Sequence, residues 1–401
     1  ANEKRRRAES SLADLAGRVT ALSTHLSGSV GRRGLQMSQS RYAWQKLMDQ
    51  VRHDLASVEM SVKTEPSRIE SIVEDFERVS RRLPVVQFHC DGDDLVAFVL
   101  LKGDIVHRRY PDGMRRLRQS LGLWHILLGR ALHSEGFPSR RDLADEHRMF
   151  RQVGEWLWKP LEIGPRHKRV LILPEGRLTN LPWSAVAQNG DTLGDRHTLI
   201  LSPSLRHYLH SRRTKTNSKR VSVFVGRLDG LEHTRQELGA FVSRMGEEVQ
   251  LHDPCLRSDW PRDKSARIWH FTGHAELRTD NPFFSLLQMK DGPLFAADFR
   301  LRRNRVGLVT LAACRTGQQM YLPGEEATGL VRSLLEMGAR SVIASHWAVA
   351  DRSTAIWMRE FYSHYLEGFP LGESMRQAMV SVREKYPSAY HWAAFSLHGA
   401  I

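Results

Sequence analysis

The stretch Val306-Gly-Leu-Val-Thr-Leu-Ala-Ala-Cys-Arg-Thr-Gly317 places a nearly continuous apolar run directly before a cysteine and a glycine-containing loop. Short apolar runs that alternate with helices predict a mainly parallel sheet whose two faces are both covered. Similar runs, separated in most cases by helix-like stretches such as 232–245 and 327–337, occur at 169–173, 221–225, 267–271 and 341–345. We therefore expect an α/β protein in which helices flank this sheet.

The chain before residue 166 shows two further patterns. Apolar residues recur at spacings of three and four on both sides of a glycine-rich break at 28–34, which predicts an N-terminal helical hairpin within 1–80. A small β-meander with helices is predicted for 81–165, because helical spacing returns at 115–160 after three strand-like runs at 85–90, 95–101 and 104–108. The α/β domain then occupies 166–401.

Composition excludes several classes of protein. Of the 401 residues, 41% are hydrophobic and 26% are charged, which is typical of a globular protein and not of a disordered or fibrous one. We expect no membrane span and no secretory signal, because no apolar run reaches membrane length and the first residues are polar and basic. Three cysteines, Cys90, Cys255 and Cys314, cannot form a disulfide framework, so we expect a reducing, cytoplasmic compartment.

The charge balance points to acidic partners. Lys and Arg number 59 against 45 Asp and Glu, which gives a net charge of +14. A charge of this sign favours nucleic acid, an anionic membrane or an acidic protein, and it does not choose among them. We interpret the basic runs at 211–220 and 300–305 as a surface loop and a solvated face. Because of the net charge, a basic protein associated with nucleic acid, directly or indirectly, remains an alternative. We expect no membrane partner.

Two strand ends carry residues that could perform chemistry. The segment Trp269-His-Phe-Thr-Gly-His-Ala275 contains His270 and His274, and the stretch from Val306 to Gly317 contains Cys314. A thiol becomes a useful nucleophile as the thiolate, and a neighbouring imidazolium lowers its pKa. Such a pair predicts acyl transfer, with backbone N–H groups holding the oxyanion. The alternative is that the cysteine is a small core residue and the histidine is structural.

The sequence contains no motif for a cofactor or a metal. We find no phosphate-binding loop, no zinc spacing of Cys and His, and no GxGxxG before a helix. We therefore expect neither a cofactor nor a metal ion.

The two strand ends resemble the CHAT domain, a bacterial branch of the caspase-like cysteine peptidases that also include separase and the gingipains. The family pattern is His-Phe-Ala-Gly-His-Gly and Ser-Ala-Cys-x-Thr-Gly, and this chain has His270-Phe-Thr-Gly-His-Ala275 and Ala312-Ala-Cys-Arg-Thr-Gly317. Further segments resemble the family in the same order, at 173–183, 329–339, 345–351 and 391–399. The resemblance covers about 84–401 and implies a caspase-like α/β fold for 166–401, with the meander as an accessory part.

The resemblance also implies roles for individual residues. It implies that Cys314 is the nucleophile, that His274 is the general acid and base, and that His270 is structural. The oxyanion hole would use the backbone N–H groups of Cys314 and Ala275. The family prefers glycine at the latter position, so the alanine would restrict the backbone if a positive φ were required. Either Glu276 or a backbone carbonyl could orient His274.

Substrate selection has two candidate residues. In the related separases the segment that contains Asp351 lies near the pocket for the residue before the scissile bond, so Asp351 would favour Arg or Lys there. Alternatively, Asp351 caps the helix at 352–366, because Asp is common at helix N-termini. Glu325 lies in the loop after the nucleophile and would either line the site or be solvated.

Three readings of function follow. The first is a cysteine endopeptidase that is activated by a regulatory partner or ligand, or by an upstream helical-repeat segment. By resemblance, its substrate would be a defence protein, such as a gasdermin-like pore former in bacterial immunity. The second is a catalytically silent caspase-like scaffold, and the third is the protein associated with nucleic acid.

Overall fold

The apolar runs of the sequence form the strands of a central sheet in the computed structural model. The structure describes residues 69–401 except 135–136, 245–248, 262–263, 279–281, 301 and 314–328. The N-terminal helical hairpin predicted within 1–80 therefore lies outside the described residues, apart from a helix over Ile69–Ser80. Residues Glu74–Ile401 form one compact unit.

The elements of the described part follow the predicted alternation. In chain order the strands are β1 (Val85–Asp91), β2 (Asp94–Leu101), β3 (Asp104–Tyr110), β4 (Arg169–Leu173), β5 (Ala187–Gln188), β6 (Asp191–Thr192), β7 (Thr198–Leu201), β8 (Val221–Val225), β9 (Val249–His252), β10 (Ser265–Thr272), β11 (Ala275–Glu276), β12 (Leu286–Met289), β13 (Gly292–Phe295), β14 (Arg305–Ala312), β15 (Ala339–Ser345) and β16 (Phe395–Gly399). The helices are α1 (Ile69–Ser80), α2 (Gly113–His133), α3 (Arg140–Val153), α4 (Leu193–Arg196), α5 (Leu205–Arg213), α6 (Glu232–Arg244), α7 (Ala296–Arg300), α8 (Leu330–Met337), α9 (Asp351–Leu366), α10 (Leu371–Lys385) and α11 (Ala389–Trp392).

The central sheet confirms the predicted α/β class. Its eleven strands lie in the order β3-β2-β1-β4-β7-β16-β15-β14-β10-β8-β9. Neighbouring strands are antiparallel at β3/β2, β2/β1 and β16/β15 and parallel everywhere else, so the sheet is mainly parallel. The predicted meander is β1–β3, and it extends the central sheet because β1 pairs with β4.

Both faces of the sheet are covered, as near-continuous apolar strands require. Along β10, Ile268 packs in the cluster that contains Trp357 and Phe361 of α9. The next residue, Trp269, packs in a second cluster that contains Leu334 of α8. Each of these five side chains is fully buried. The alternation of side chains along a strand thus ties helices to opposite faces of one sheet.

Several elements differ from the sequence predictions. The short strands β7 and β16 were not expected, and β16 enters the sheet between β7 and β15. The run at 300–305 is not a solvated face throughout, because Arg302 is buried and its guanidinium donates to the carbonyl oxygen of Trp260. The basic run at 211–220 is not a loop throughout either, because α5 continues to Arg213. Of the helices described here, none is long and apolar enough to cross a membrane.

Candidate active site

The register of β10 and β14 brings the two candidate strand ends together. These parallel strands pair from Ser265 opposite Arg305 to Thr272 opposite Ala312, where both strands end. The N–H of Gly273 donates to the carbonyl oxygen of Ala312 over 3.4 Å, which continues the contact one residue further. His274 therefore follows its strand at the level where the chain leaves β14. The predicted nucleophile Cys314 and the candidate Glu325 lie outside the described residues.

The strand β15, the other neighbour of β14, also fixes the end of β14. The hydroxyl of Ser345, the last residue of β15, donates to the carbonyl oxygen of Ala313 over 2.6 Å. Both residues are buried. Because Ala313 immediately precedes Cys314 in the sequence, this hydrogen bond fixes the backbone just before the predicted nucleophile.

A loop between β8 and α6 orients the imidazole of His274. The backbone N–H of His274 donates to the carbonyl oxygen of Arg227 over 3.2 Å. The ring Nε2 lies 2.7 Å from the carbonyl oxygen of Asp229. A carbonyl only accepts hydrogen bonds, so Nε2 carries the proton and the neutral ring keeps its lone pair on Nδ1. The loop therefore sets both the orientation and the tautomer of the ring.

This contact decides between the two alternatives for the group that orients His274. The carbonyl of Asp229 makes the bond, whereas the side chain of Glu276 is exposed. The sequence could not identify Asp229, because every residue carries a carbonyl and only the path of the loop selects one.

Two glycines allow the loop and the histidine to approach each other. Gly226 follows β8, and a Cβ atom there would lie 2.4 Å from the carbonyl oxygen of Gln288. Gly273 precedes His274 with φ of +148°, and a Cβ atom there would lie 3.1 Å from the carbonyl oxygen of Arg227. Residues with a side chain rarely adopt such a φ, so glycine is required at the position that aims His274.

The backbone of Ala275 suits the role of an oxyanion donor. Ala275 lies in β11 opposite Leu287, and the N–H of Gln288 donates to the carbonyl oxygen of His274 over 2.9 Å. Opposite residues of an antiparallel pair alternate between hydrogen-bonded and non-hydrogen-bonded pairs. The carbonyl oxygen of His274 faces β12, and across a trans peptide bond the following N–H points the opposite way, so the N–H of Ala275 points away from β12. Its strand conformation is open to alanine, so the missing glycine imposes no strain.

His270 is a structural residue of the sheet interior. It is 3% exposed, and its Nδ1 lies 3.3 Å from the hydroxyl of Tyr362. That hydroxyl also hydrogen-bonds to the side chain of Thr310 in β14. Burial lowers the pKa of His270 to about 3, so the ring stays neutral at physiological pH.

Asp351 is the first residue of α9, and its carboxylate binds the start of α6. Its two oxygens accept hydrogen bonds from the backbone N–H groups of His233 and Thr234, over 2.7 and 3.1 Å, and from the Thr234 hydroxyl. The alternative that Asp351 caps its own helix is wrong, because Ala350 occupies the N-cap position of α9 without a side-chain hydrogen bond. A carboxylate at the N-terminus of a neighbouring helix stabilises that helix in the same way.

The two described cysteines are poorly suited to nucleophilic chemistry. Burial raises the pKa of Cys90 to about 11, with the nearby Glu175 carboxylate adding to the effect. Burial raises the pKa of Cys255 to about 12, and this residue is fully buried. Both therefore remain thiols at neutral pH. Within the described residues, no group of three or more His, Cys, Asp or Glu is placed to hold a metal ion.

Comparison with solved structures agrees with this architecture. Two structures of the Saccharomyces cerevisiae separase–securin complex match 82% of this chain at 10% identity, with TM-scores of 0.55 and 0.56. The match covers 30% and 31% of those chains. The Arg-specific cysteine proteinase gingipain R is also similar, at 10% identity over 65% of this chain and 67% of that chain, with a TM-score of 0.41. The similarity to the two separase structures shows that the fold is a caspase-like α/β fold.

Comparison with sequences assigns the family. The mouse tetratricopeptide repeat protein 28 is 22% identical over 300 residues, which is 59% of this chain. The chain thus spans only about 12% of that relative's length. The model of the CHAT domain matches residues 147–400, which is more than half of the chain and includes β4 to β16. This chain therefore belongs to the CHAT domain family of caspase-like peptidases.

Proposed function

We propose that the chain is a cysteine endopeptidase in which Cys314 and His274 form the catalytic dyad. The register of β10 and β14 carries the proposal, because it ends both strands in the same row, with each candidate residue two positions beyond the last pair. The fixed tautomer of His274 supports it, since Nδ1 can take and return a proton while Nε2 stays bonded to Asp229.

In this reaction the Cys314 sulfur attacks the carbonyl carbon of a substrate peptide bond as a thiolate. The oxyanion would accept hydrogen bonds from the N–H groups of Cys314 and Ala275. As the C–N bond breaks, the His274 imidazolium gives its proton to the leaving amine and a thioester forms. Water then attacks the thioester, gives one proton to His274 and releases the acid product, which restores the dyad.

We propose further that the enzyme favours Arg or Lys before the scissile bond, with Asp351 and Glu325 as substrate-binding residues. Asp351 is attached to the start of α6, a few residues after the loop that orients His274. Its Oδ2 accepts a single hydrogen bond from the described residues and therefore retains room for one substrate donor. The inclusion of Glu325 rests only on its position after Cys314 in the sequence.

The biological setting is also a proposal. We propose cytoplasmic action on a defence protein, such as a gasdermin-like pore former, under the control of a regulatory partner. The relative that is named a tetratricopeptide repeat protein supports an upstream helical-repeat segment as that control, and the free thiols of Cys90 and Cys255 suit a reducing compartment.

Labelling with a thiol-reactive peptide tests the proposed dyad. At pH 7.5 we expect modification of Cys314, while Cys90 and Cys255 serve as internal controls because their raised pKa values keep them protonated. His274→Ala should slow the labelling, and Cys314→Ala should abolish both labelling and cleavage of peptides with Arg before the scissile bond. Equal modification of all three cysteines, or unchanged labelling of His274→Ala, would contradict the proposal and favour the silent scaffold.

A further inference from the structure

A basic cleft of about 1170 Å³ is open on the surface of the described structure. Its lining includes Arg267 near the amino end of β10 and Arg340 near the amino end of β15, whereas His274 follows the carboxyl end of β10. Seven Lys and Arg residues line the cleft against two acidic side chains, Asp195 and Glu373. The cleft is therefore separate from the candidate active site and strongly basic.

The two acidic side chains of the cleft offset little of this charge. Asp195 accepts two hydrogen bonds from Arg383, over 2.8 and 3.0 Å, and Arg383 is not among the cleft residues. Glu373 is paired with Arg376 over 2.9 Å. Of the cleft cations, Arg196 is paired with Asp191, whereas five have no carboxylate within ion-pair distance in the described part of the chain: Lys168, Arg169, Lys215, Arg267 and Arg340.

The sheet places two of these arginines in one row, on either side of a glycine. Arg267, Gly307 and Arg340 occupy one row across β10, β14 and β15. The two neighbouring rows are Ala266–Val306–Ala339 and Ile268–Leu308–Ser341. All three line the cleft, and the central residue has no side chain. Side chains in one row of a parallel sheet share a face, so the two arginines lie on either side of Gly307. The Thr216 methyl lies 3.5 Å from where a Cβ of Gly307 would be, so a small side chain and not a third bulky one separates them.

Both arginines are held in place before any ligand arrives. The guanidinium of Arg340 donates to the carbonyl oxygens of Arg212 and Thr214, each over 3.2 Å. The guanidinium of Arg267 lies over the ring of Tyr365, 5.9 Å from its centre. Burial raises the pKa of Tyr365, and the positive field of Arg267 and Arg340 opposes that rise. The charges thus converge on the cleft and are preorganised.

We propose that this cleft binds a small ligand that carries several adjacent phosphate groups. Five cations without a carboxylate repel one another, and a polyanion placed among them relieves this repulsion. Guanidinium groups bind phosphate oxygens in pairs, and lysines add point charges. The volume slightly exceeds that of common small-molecule pockets, about 300–1,000 Å³. A nucleic-acid strand is less suited, because it is bound along an extended basic stripe and not within one cleft.

Titration calorimetry on the full 401-residue chain tests the proposal with inorganic triphosphate, ATP and a single-stranded RNA oligonucleotide as probes. We expect triphosphate to bind, with an affinity that falls as salt increases. ATP that binds at least as tightly as triphosphate would assign the phosphates to a nucleotide, and weaker binding would assign them to a free polyphosphate. Binding of RNA without binding of triphosphate or ATP would overturn the proposal, as would no binding at all.

Matched variants locate the binding. Arg267→Gln and Arg340→Gln should each weaken triphosphate binding about tenfold, the loss expected for one charge-assisted hydrogen bond. Lys215→Gln should weaken triphosphate binding as well. This substitution leaves the Arg340 guanidinium and its hydrogen bonds to Arg212 and Thr214 in place. Arg116→Gln is the control, because Arg116 is an exposed arginine of α2 away from the cleft. Equal weakening in the control, or unchanged binding in the cleft variants, would overturn the proposal.

Discussion

The ring Nε2 of His274 lies 2.7 Å from the backbone carbonyl oxygen of Asp229, so a loop and not an acidic side chain orients the candidate catalytic imidazole. A carbonyl holds one tautomer and adds no negative charge beside the ring. In the proposed mechanism the atom that takes part in proton transfer is then Nδ1, and its orientation depends on how firmly the loop after β8 is anchored.

The first prediction compares His274 with its acidic neighbour in sequence. His274→Gln removes the proton carrier and should lower kcat/KM for peptide cleavage by about 10²–10⁴-fold. Glu276→Gln should change it by no more than about twofold, because the Glu276 side chain is exposed and the carbonyl of Asp229 orients the ring. Steady-state cleavage of a fluorogenic peptide measures both. A large loss in Glu276→Gln would show that this carboxylate acts on the imidazole.

The second prediction concerns Gly273, the glycine whose backbone conformation positions the His274 ring. Gly273→Ala places a Cβ atom 3.1 Å from the carbonyl oxygen of Arg227 at a φ of +148°. We expect a loss of about 1–3 kcal/mol in the free energy of unfolding and a fall of about 10²-fold in kcat/KM, because the ring moves from its position.

Gly368→Ala is the matched control for that substitution. Gly368 has φ of +96° after α9, and a Cβ atom there would meet nothing within 4 Å. This variant should lose stability in urea denaturation and keep its kcat/KM. Equal losses of activity in Gly273→Ala and Gly368→Ala would mean that reduced global stability, and not a displaced His274 ring, explains the lower kcat/KM of Gly273→Ala.

The third prediction concerns Asp351. Asp351→Asn keeps the shape of the side chain but removes the charge that the His233 and Thr234 N–H groups bind, so the free energy of unfolding should fall by about 1 kcal/mol. If the remaining lone pair of Oδ2 binds substrate, kcat/KM for Arg or Lys before the scissile bond should fall about tenfold relative to neutral residues. Profiling with a peptide library measures this preference. An unchanged profile together with lower stability would mean that Asp351 only stabilises the start of α6 and does not bind substrate.

The fold was predictable from the sequence because the buried parallel strands carry a strong signal. The runs at 169–173 and 221–225 match β4 and β8 residue for residue, since strands buried on both faces read as unbroken apolar stretches. The strand β16 was missed because Phe395-Ser-Leu-His-Gly399 mixes polar and apolar residues, and its neighbours β7 and β15 make it a strand.

The site was predictable only in part. Motif spacing placed His274 and Ala275 at the end of β10, and the register confirms that this strand ends beside β14. The contributions of Asp229 and Ser345 could not be predicted, because a backbone carbonyl and a serine at a strand end carry no signal of their own. The partner of Asp351 was missed for a related reason, since it lies more than a hundred residues away on α6.

The last prediction uses pH to test a buried carboxyl that joins two distant parts of the chain. Glu146 of α3 is 3% exposed, and its oxygens accept hydrogen bonds from the Ser388 hydroxyl over 2.7 Å and the Ala389 N–H over 2.6 Å. Burial raises the pKa of Glu146 to about 7, while these two hydrogen bonds act in the opposite direction. In the folded protein the carboxyl therefore keeps its proton to a higher pH than in the unfolded chain.

The sign of the effect follows from proton binding. Between the unfolded pKa of about 4.5 and the folded pKa of about 7, the folded protein binds the extra proton, so stability falls as pH rises through this window. The contribution is fully present below the window and amounts to about 3 kcal/mol. Glu146→Gln has no such titration, and its amide oxygen can still accept one of the two hydrogen bonds. Urea denaturation from pH 5 to pH 8 should therefore show a steeper fall in the free energy of unfolding for the wild type than for Glu146→Gln. Parallel pH profiles would mean that Glu146 is already ionised throughout this range in the folded protein.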